Sequence, residues 1–170
     1  MTKLLLSIHV LAAILTVGPV AVAASMFPPA LRRARAEGGV GPATEGGGLT
    51  AEGLAAGSGD ARSTLLVLHR VCRVYAVVGV AVPVFGFATG LHMGVLGDAW
   101  LIASIVLTLL AAVVLGALVL PRQELAVADP GAAAAERLAP RLAMFTGVFN
   151  LLWAAVTVLM IVRPGSTTGA

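Results

Sequence analysis

The chain is predicted to be an all-α protein, a polytopic membrane four-helix bundle. Four stretches contain no Lys, Arg, Asp or Glu and are each long enough to cross a bilayer: residues 4–31, 74–97, 99–121 and 142–162. About 20 apolar residues of helix span a hydrocarbon core about 30 Å thick, where only helices and closed barrels satisfy their own backbone hydrogen bonds. The composition agrees, because 59% of the residues are hydrophobic and only 11% are charged.

The four helices are expected within one transmembrane domain that covers the chain, at about residues 4–28, 64–93, 99–120 and 141–163. A glycine-rich stretch at about 36–62 is predicted to be a flexible loop. Pro121 is expected to end the third helix, and Pro19 and Pro83 are expected to kink the first and second helices. Trp100 follows a tight second turn, where an interfacial aromatic anchor is expected.

The basic residues are divided unevenly between the two ends of these helices. Of the 11 Lys and Arg residues, all but two lie in or beside the first and third loops. The positive-inside rule therefore predicts that both loops are cytoplasmic and that both termini are extracytoplasmic. The net charge of +3 is interpreted as a topology feature and not as a nucleic-acid site.

A cleaved signal peptide is the alternative interpretation of the first helix. Lys3 precedes an apolar run, and residues 21–23 (AVA) stand where small residues precede a cleavage site. The run is long for a signal peptide, and three arginines follow it while one lysine precedes it. These features favour a retained span.

Ionisable groups within membrane helices are costly, so each of them is a candidate for function. His9 lies about two turns into the first helix and His92 near the end of the second, which runs in the opposite direction. Facing imidazoles hold haem iron in helical bundles, which makes His9 and His92 the candidate ligands of a haem b or another metal. Arg70 and Arg73 share a helix face and are candidates for binding a haem propionate or a lipid phosphate.

Other interpretations of these side chains remain open. In one, His9 hydrogen-bonds a neighbouring helix and His92 is solvated at the interface. In another, the two histidines bind copper together with Met93 or Met26. Asn150, near the middle of the fourth helix, is expected to form an interhelical hydrogen bond. No P-loop, Rossmann fingerprint or triad-like pattern is present, so no catalytic residue is predicted and whether the chain is an enzyme stays open.

Several short patterns carry a family resemblance. Residues 6–14 (LSIHVLAAI) are similar to an LHILAA opening, the second helix combines arginines with a mid-helix proline and glycines, and FN at 149–150 precedes IVRP at 161–164. These patterns resemble the CopD-like group of bacterial membrane proteins. That group includes copper-resistance CopD, the haem-binding membrane protoporphyrinogen oxidase and domain of unknown function family 2269. The resemblance implies a four-helix bundle in which His9 occupies a haem-associated position.

One departure from the group bears on activity. The oxidase opens its third helix with a Trp-Leu-His-Val-Lys pattern, whereas residues 100–104 of this chain read WLIAS and lack the His and Lys. The resemblance therefore implies the family 2269 branch, with a haem-binding redox or haem-handling accessory role. The alternatives are a cofactor-free structural or accessory subunit of a membrane complex and, third, copper handling. The expected partners are the lipid bilayer and either a membrane protein or a second copy of the chain.

Overall fold

The computed structural model describes the backbone of residues 2–38 and 51–165, and this part of the chain is helical without any strand. The elements are α1 (Thr2–Gly38), α2 (Ala51–Val78), α3 (Ala81–Met93), α4 (Ala99–Val113), a π-helical segment (Val114–Val119), α5 (Leu120–Ala128) and α6 (Ala133–Val162). The prediction of an all-α four-helix bundle is confirmed.

Four helical units are long and apolar enough to cross a membrane, and they are numbered here as the first to fourth spans: Lys3–Ala36, Gly59–Met93, Ala99–Ala128 and Ala133–Val162. The chain is therefore a multi-pass membrane protein. The predicted loop at 36–62 is shorter than expected, because α2 already begins at Ala51. Residues 39–50, which hold much of the glycine-rich stretch, lie outside the described residues.

The second span is interrupted near its middle, between α2 and α3. Pro83 has no N–H to donate to the Gly79 carbonyl four residues earlier. That carbonyl instead accepts the N–H of Val82 at 3.1 Å. This interruption lies one turn before Pro83, where the sequence predicts a kink, whereas α1 continues without interruption through Pro19.

Pro121 does not end the third span, and that prediction is wrong. The helix continues from α4 through the π-helical segment into α5. In the π turn the N–H of Leu120 bonds to the carbonyl of Leu115, five residues earlier, and this wider turn leaves more room for the proline ring. Arg122 Nη1 also donates to the Leu118 carbonyl, one turn before the proline's own position in the helix, at 2.7 Å.

The main core lies where all four spans meet. The first span contributes Phe27 and Leu31, which are fully buried, and the second contributes Leu65 and Cys72. They pack against buried residues of the third and fourth spans: Ala111, Leu115, Val119, Ala126, Ala135, Ala139, Leu142 and Phe149. Large apolar side chains on the outer faces of every span are exposed, which is the pattern expected when lipid is the surrounding solvent.

The loop between α5 and α6 is held by the end of α1. Arg35 Nη1 donates to the Ala132 carbonyl and lies 3.4 and 3.5 Å from the carbonyls of Pro130 and Gly131, and Arg35 Nη2 lies 3.5 Å from Glu136 Oε2. One guanidinium therefore contacts the loop backbone and one carboxylate of α6. These contacts fix the first span to the start of the fourth.

At the other end of the bundle, Trp100 closes the gap between the second and fourth spans. Its side chain is 6% exposed, its Nε1 donates to Asp98 Oδ2 at 3.0 Å, and the Arg163 guanidinium carbon lies 5.6 Å from its ring centroid. Trp100 is thus packed against the protein at this end of the bundle, and its role as an interfacial anchor stays a prediction.

Arg35→Ala is expected to destabilise the bundle by about 2 kcal/mol, because hydrogen bonds that involve a charged group contribute about 1.5–3 kcal/mol. The measurement is the thermal unfolding midpoint in detergent micelles. Arg33→Ala is the matched control, since Arg33 is exposed on the same helix and its loss removes the same charge. Equal midpoints for the two variants would contradict the role of Arg35.

Candidate functional site

His9 on α1 contacts α3 through a hydrogen bond and a close packing contact. Its Nδ1 is 2.9 Å from the carbonyl oxygen of Val82. The imidazole also lies against Gly86, where an added Cβ would stand 2.8 Å from His9 Cε1, closer than nonbonded atoms approach. Gly86 therefore lets the two helices come together with the imidazole between them.

The hydrogen bond to Val82 determines which nitrogen of His9 carries the proton. A carbonyl oxygen only accepts, so Nδ1 must donate, and Nε2 of the neutral imidazole then keeps its lone pair. Nε2 makes no hydrogen bond with a residue in the described ranges. Because His9 is partly buried in the first span, its Nε2 is an available ligand atom at membrane depth.

His92 lies at the same end of the bundle as His9, but on a different face of α3. It is exposed and follows Gly86 by six residues, which corresponds to about 9 Å along the helix and about 120° around it. The structure therefore does not bring the two imidazoles onto one face. Their pairing as two ligands of one haem stays a prediction.

Arg70 and Arg73 are exposed on α2. Arg73, the nearer of the two, precedes Gly86 by a stretch of the second span about 20 Å long at 1.5 Å per residue. Both arginines lie toward the opposite end of the bundle from His9, so the structure does not place them beside a group bound there. A lipid phosphate remains a suitable partner for both.

The sulfur ligands considered for copper are also apart from His9. Met26 is 53% exposed on α1, about 25 Å along the helix from His9, and Met93 packs against the small cluster around Trp100. Among the described residues, no group of three or more His, Cys, Asp or Glu side chains is arranged to hold a metal.

A buried polar contact between the second and third spans was missed by the sequence analysis. Gln123 is fully buried, with Oε1 3.4 Å from His69 Nδ1 and Nε2 3.7 Å from Cys72 Sγ. The 3.4 Å contact with His69 is long for a hydrogen bond, whereas the 3.7 Å contact involves the larger sulfur atom. Gln123 therefore joins α5 to α2 through two polar side chains. Because the sequence predicted that the third helix ends at Pro121, Gln123 was expected in a loop. A helix continued past Pro121 would have placed Gln123 among its inward-facing residues, as a polar side chain toward α2.

Asn150 forms the predicted interhelical hydrogen bond: its Nδ2 donates to Ser25 Oγ at 3.3 Å, joining the fourth span to the first. The Oδ1 of Asn150 and the Nε1 of Trp153, one turn later, are buried and have no hydrogen-bond partner in the part of the chain that the structure describes. The Trp153 N–H is therefore a buried hydrogen-bond donor without an acceptor among the described residues.

Comparisons of the chain with protein-family models, curated proteins and solved structures find no match. The resemblance to the CopD-like group therefore stays a prediction, based on the residues quoted for it. The functional argument rests on the geometry of the site itself.

Gly86→Ala is expected to destabilise the protein by about 1 kcal/mol, because the new methyl group displaces the imidazole and weakens its bond to Val82. The measurement is the unfolding midpoint in detergent. Gly147→Ala is the control, since a Cβ at Gly147 has no neighbour within 4 Å and Ala favours a helix by about 0.5–1 kcal/mol. A loss of stability in both variants alike would argue against the packing of His9 on Gly86.

Proposed function

We propose that this is a bacterial cytoplasmic-membrane protein that binds a haem b through His9 and has an accessory role in redox chemistry or haem handling. The observation that carries the proposal is the hydrogen bond from His9 Nδ1 to the Val82 carbonyl. Metal-bound histidines typically donate their second ring N–H to a carbonyl or carboxylate in this way, which orients the ring and raises its basicity.

Among the residues present, His9 would be the ligand that this chain supplies to a haem iron. His9 Nε2 has the required lone pair, and Gly86 holds the ring in place. His92 is offset along and around α3 from Gly86, which His9 contacts, so the proposal assigns the iron ligand to His9 and does not require His92. A bound haem iron would supply one-electron chemistry at this position.

The distribution of arginines supports a cytoplasmic location for the end of the bundle that carries Arg35, Arg70 and Arg73. In this orientation His9 is near the outer face of the membrane. Arg70 and Arg73, which are exposed on α2, bind lipid phosphates at the inner face. Their long side chains extend to the headgroup region while the helix remains in the membrane.

The absorption spectrum of the protein purified in detergent from haem-supplied cells tests the proposal. The wild type is expected to show a Soret band, and His9→Ala to lose at least nine-tenths of it because the iron loses its ligand. His69→Ala is the control. His69 lies on α2, in the half of the second span away from His9, where it contacts Gln123 of the third span. Retention of the band in His92→Ala is also expected.

A colourless wild type, or a band that is unchanged in His9→Ala, would overturn haem ligation by His9. A colourless protein that co-purifies with another membrane complex would instead favour the cofactor-free subunit. Stoichiometric copper by metal analysis would favour copper handling.

The orientation has its own test. A reporter enzyme that is active only outside the cytoplasm is expected to be active when fused to either terminus, and inactive when inserted between residues 39 and 50. Because four spans place both termini on one side, the two terminal fusions must agree. Activity of the loop insertion together with silent termini would show the reverse orientation.

A further inference from the structure

A pocket of about 330 Å³ lies between the first and fourth spans, at the end of the bundle that carries most of the arginines. Its walls are formed by Arg32 and Arg35 of α1 and by Glu136, Ala139 and Pro140 of α6. Small-molecule sites typically measure about 300–1,000 Å³, so the pocket is large enough to hold a ligand. It is separate from the site at His9, which lies toward the other end of α1.

The two guanidinium groups of the pocket differ in their contacts. Arg35 donates to the Ala132 carbonyl and lies 3.5 Å from the carboxylate of Glu136. Arg32 is exposed and has no hydrogen bond or ion pair with a residue in the described ranges. Two arginines and one glutamate give the walls a net charge of +1. Because a guanidinium matches the geometry of phosphate oxygens, Arg32 is suited to bind a phosphate group.

The pocket lies at the depth where lipid phosphates are found. Arg32 is the first charged residue after the charge-free run 4–31. Arg141, which adjoins the wall residue Pro140, is the last charged residue before the charge-free run 142–162. The hydrocarbon core therefore begins beside the pocket on both spans. Basic pockets between membrane helices at this level bind the headgroups of acidic phospholipids.

A shallow furrow leads from the pocket along the line where α1 and α6 meet. Asn150 of α6 donates to Ser25 of α1 there, and Ser25 precedes Arg32 by two helical turns on the same face. Ala143 and Gly147 precede Asn150 on the same face of α6. Ser25, Ala143 and Gly147 are all small and exposed, and a Cβ at Gly147 would have no neighbour within 4 Å. The surface between the two helices is therefore open to the surrounding lipid.

The length of the furrow matches one leaflet of the bilayer. From Pro140 to Asn150 it measures about 15 Å at 1.5 Å of rise per residue, which is half of a hydrocarbon core about 30 Å thick. An acyl chain that begins at the pocket can therefore follow the furrow to its end. The furrow alone would accept any chain, and the guanidinium at its entrance is the feature that selects a phosphate-bearing lipid.

We infer that the pocket and the furrow bind one anionic phospholipid from the leaflet on the arginine side. Its phosphate accepts hydrogen bonds from Arg32, and one of its acyl chains lies along the furrow. The net positive charge of the walls favours an anionic headgroup over a zwitterionic one. The lipid thereby joins the first span to the fourth. This inference does not depend on the proposed haem at His9, and the pocket includes neither Arg70 nor Arg73.

The test is the dissociation constant of added lipid from the full chain in detergent, measured by native mass spectrometry across a titration. The probes are dioleoylphosphatidylglycerol, which is anionic, and dioleoylphosphatidylcholine, which has the same acyl chains and a zwitterionic headgroup. Phosphatidylglycerol is expected to bind about 5-fold more tightly, which corresponds to the contribution of about 1 kcal/mol from one arginine at a lipid surface. An excess of inorganic phosphate is expected to leave the lipid bound.

Arg32→Gln is expected to weaken phosphatidylglycerol binding by about 5-fold, because the phosphate loses its guanidinium. Arg33→Gln is the matched control, since Arg33 is exposed on the same helix but is not a wall residue. It removes the same charge and is expected to change the affinity by less than about 2-fold, because salt screens solvent-exposed charges. Glu136→Gln is expected to strengthen binding, since it removes the carboxylate from the wall.

The furrow has a separate variant. Gly147→Phe places a large side chain in the furrow and is expected to weaken the binding of both lipids by the same factor. Gly116→Phe is its control, because a Cβ at Gly116 is equally unobstructed and Gly116 belongs to the third span.

Four results would overturn the inference. The first is equal affinity of the wild type for the two lipids. The second is an equal loss of affinity in Arg32→Gln and Arg33→Gln, which would report attraction by net charge alone. The third is displacement of the lipid by inorganic phosphate, which would assign the pocket to a soluble anion. The fourth is unchanged lipid binding in Gly147→Phe, which would remove the acyl chain from the furrow.

Discussion

Lipid cannot hydrogen-bond a peptide group, and this constraint governs where the spans of this bundle depart from regular helix. The Gly79 carbonyl, deprived of its donor by Pro83, takes the N–H of Val82. At Pro121 the third span instead passes through a π turn, in which the N–H of Leu120 bonds to the Leu115 carbonyl. In each case the irregular hydrogen bond joins residues of the same span that are no more than five apart, so the irregularity is local and the span remains a single unit.

The same constraint explains why His9 is tolerated within a membrane span. A neutral imidazole has one donor and one acceptor, and the Val82 carbonyl receives the donor. The glycine at position 86 allows the ring to pack directly against α3, so the side chain is held by a hydrogen bond and by packing. The other nitrogen, Nε2, has a lone pair that no donor among the described residues contacts. In this respect His9 differs from a histidine that uses both nitrogens to join helices.

The sequence predicted those features that depend on composition and on chain chemistry. Charge-free runs located the spans, the missing N–H of Pro83 located an interruption, and Asn150 was expected to reach another helix, as it does through Ser25. The continuation of the third helix past Pro121 could not be predicted from helix propensity, because it depends on a π turn that forms in the folded bundle. The orientation of His92 relative to His9 depends on how far each helix is rotated when it packs, which a single sequence does not specify.

The spans contain between 30 and 35 residues, or about 45–52 Å of helix at 1.5 Å per residue, whereas the hydrocarbon layer is about 30 Å thick. The excess is concentrated at one end, in the charged portions of the second, third and fourth spans. On that side the bundle rises from the bilayer by about 15–20 Å as packed helices. Exposed arginines at that end, such as Arg70 and Arg73, are therefore carried by helical backbone and not by loops.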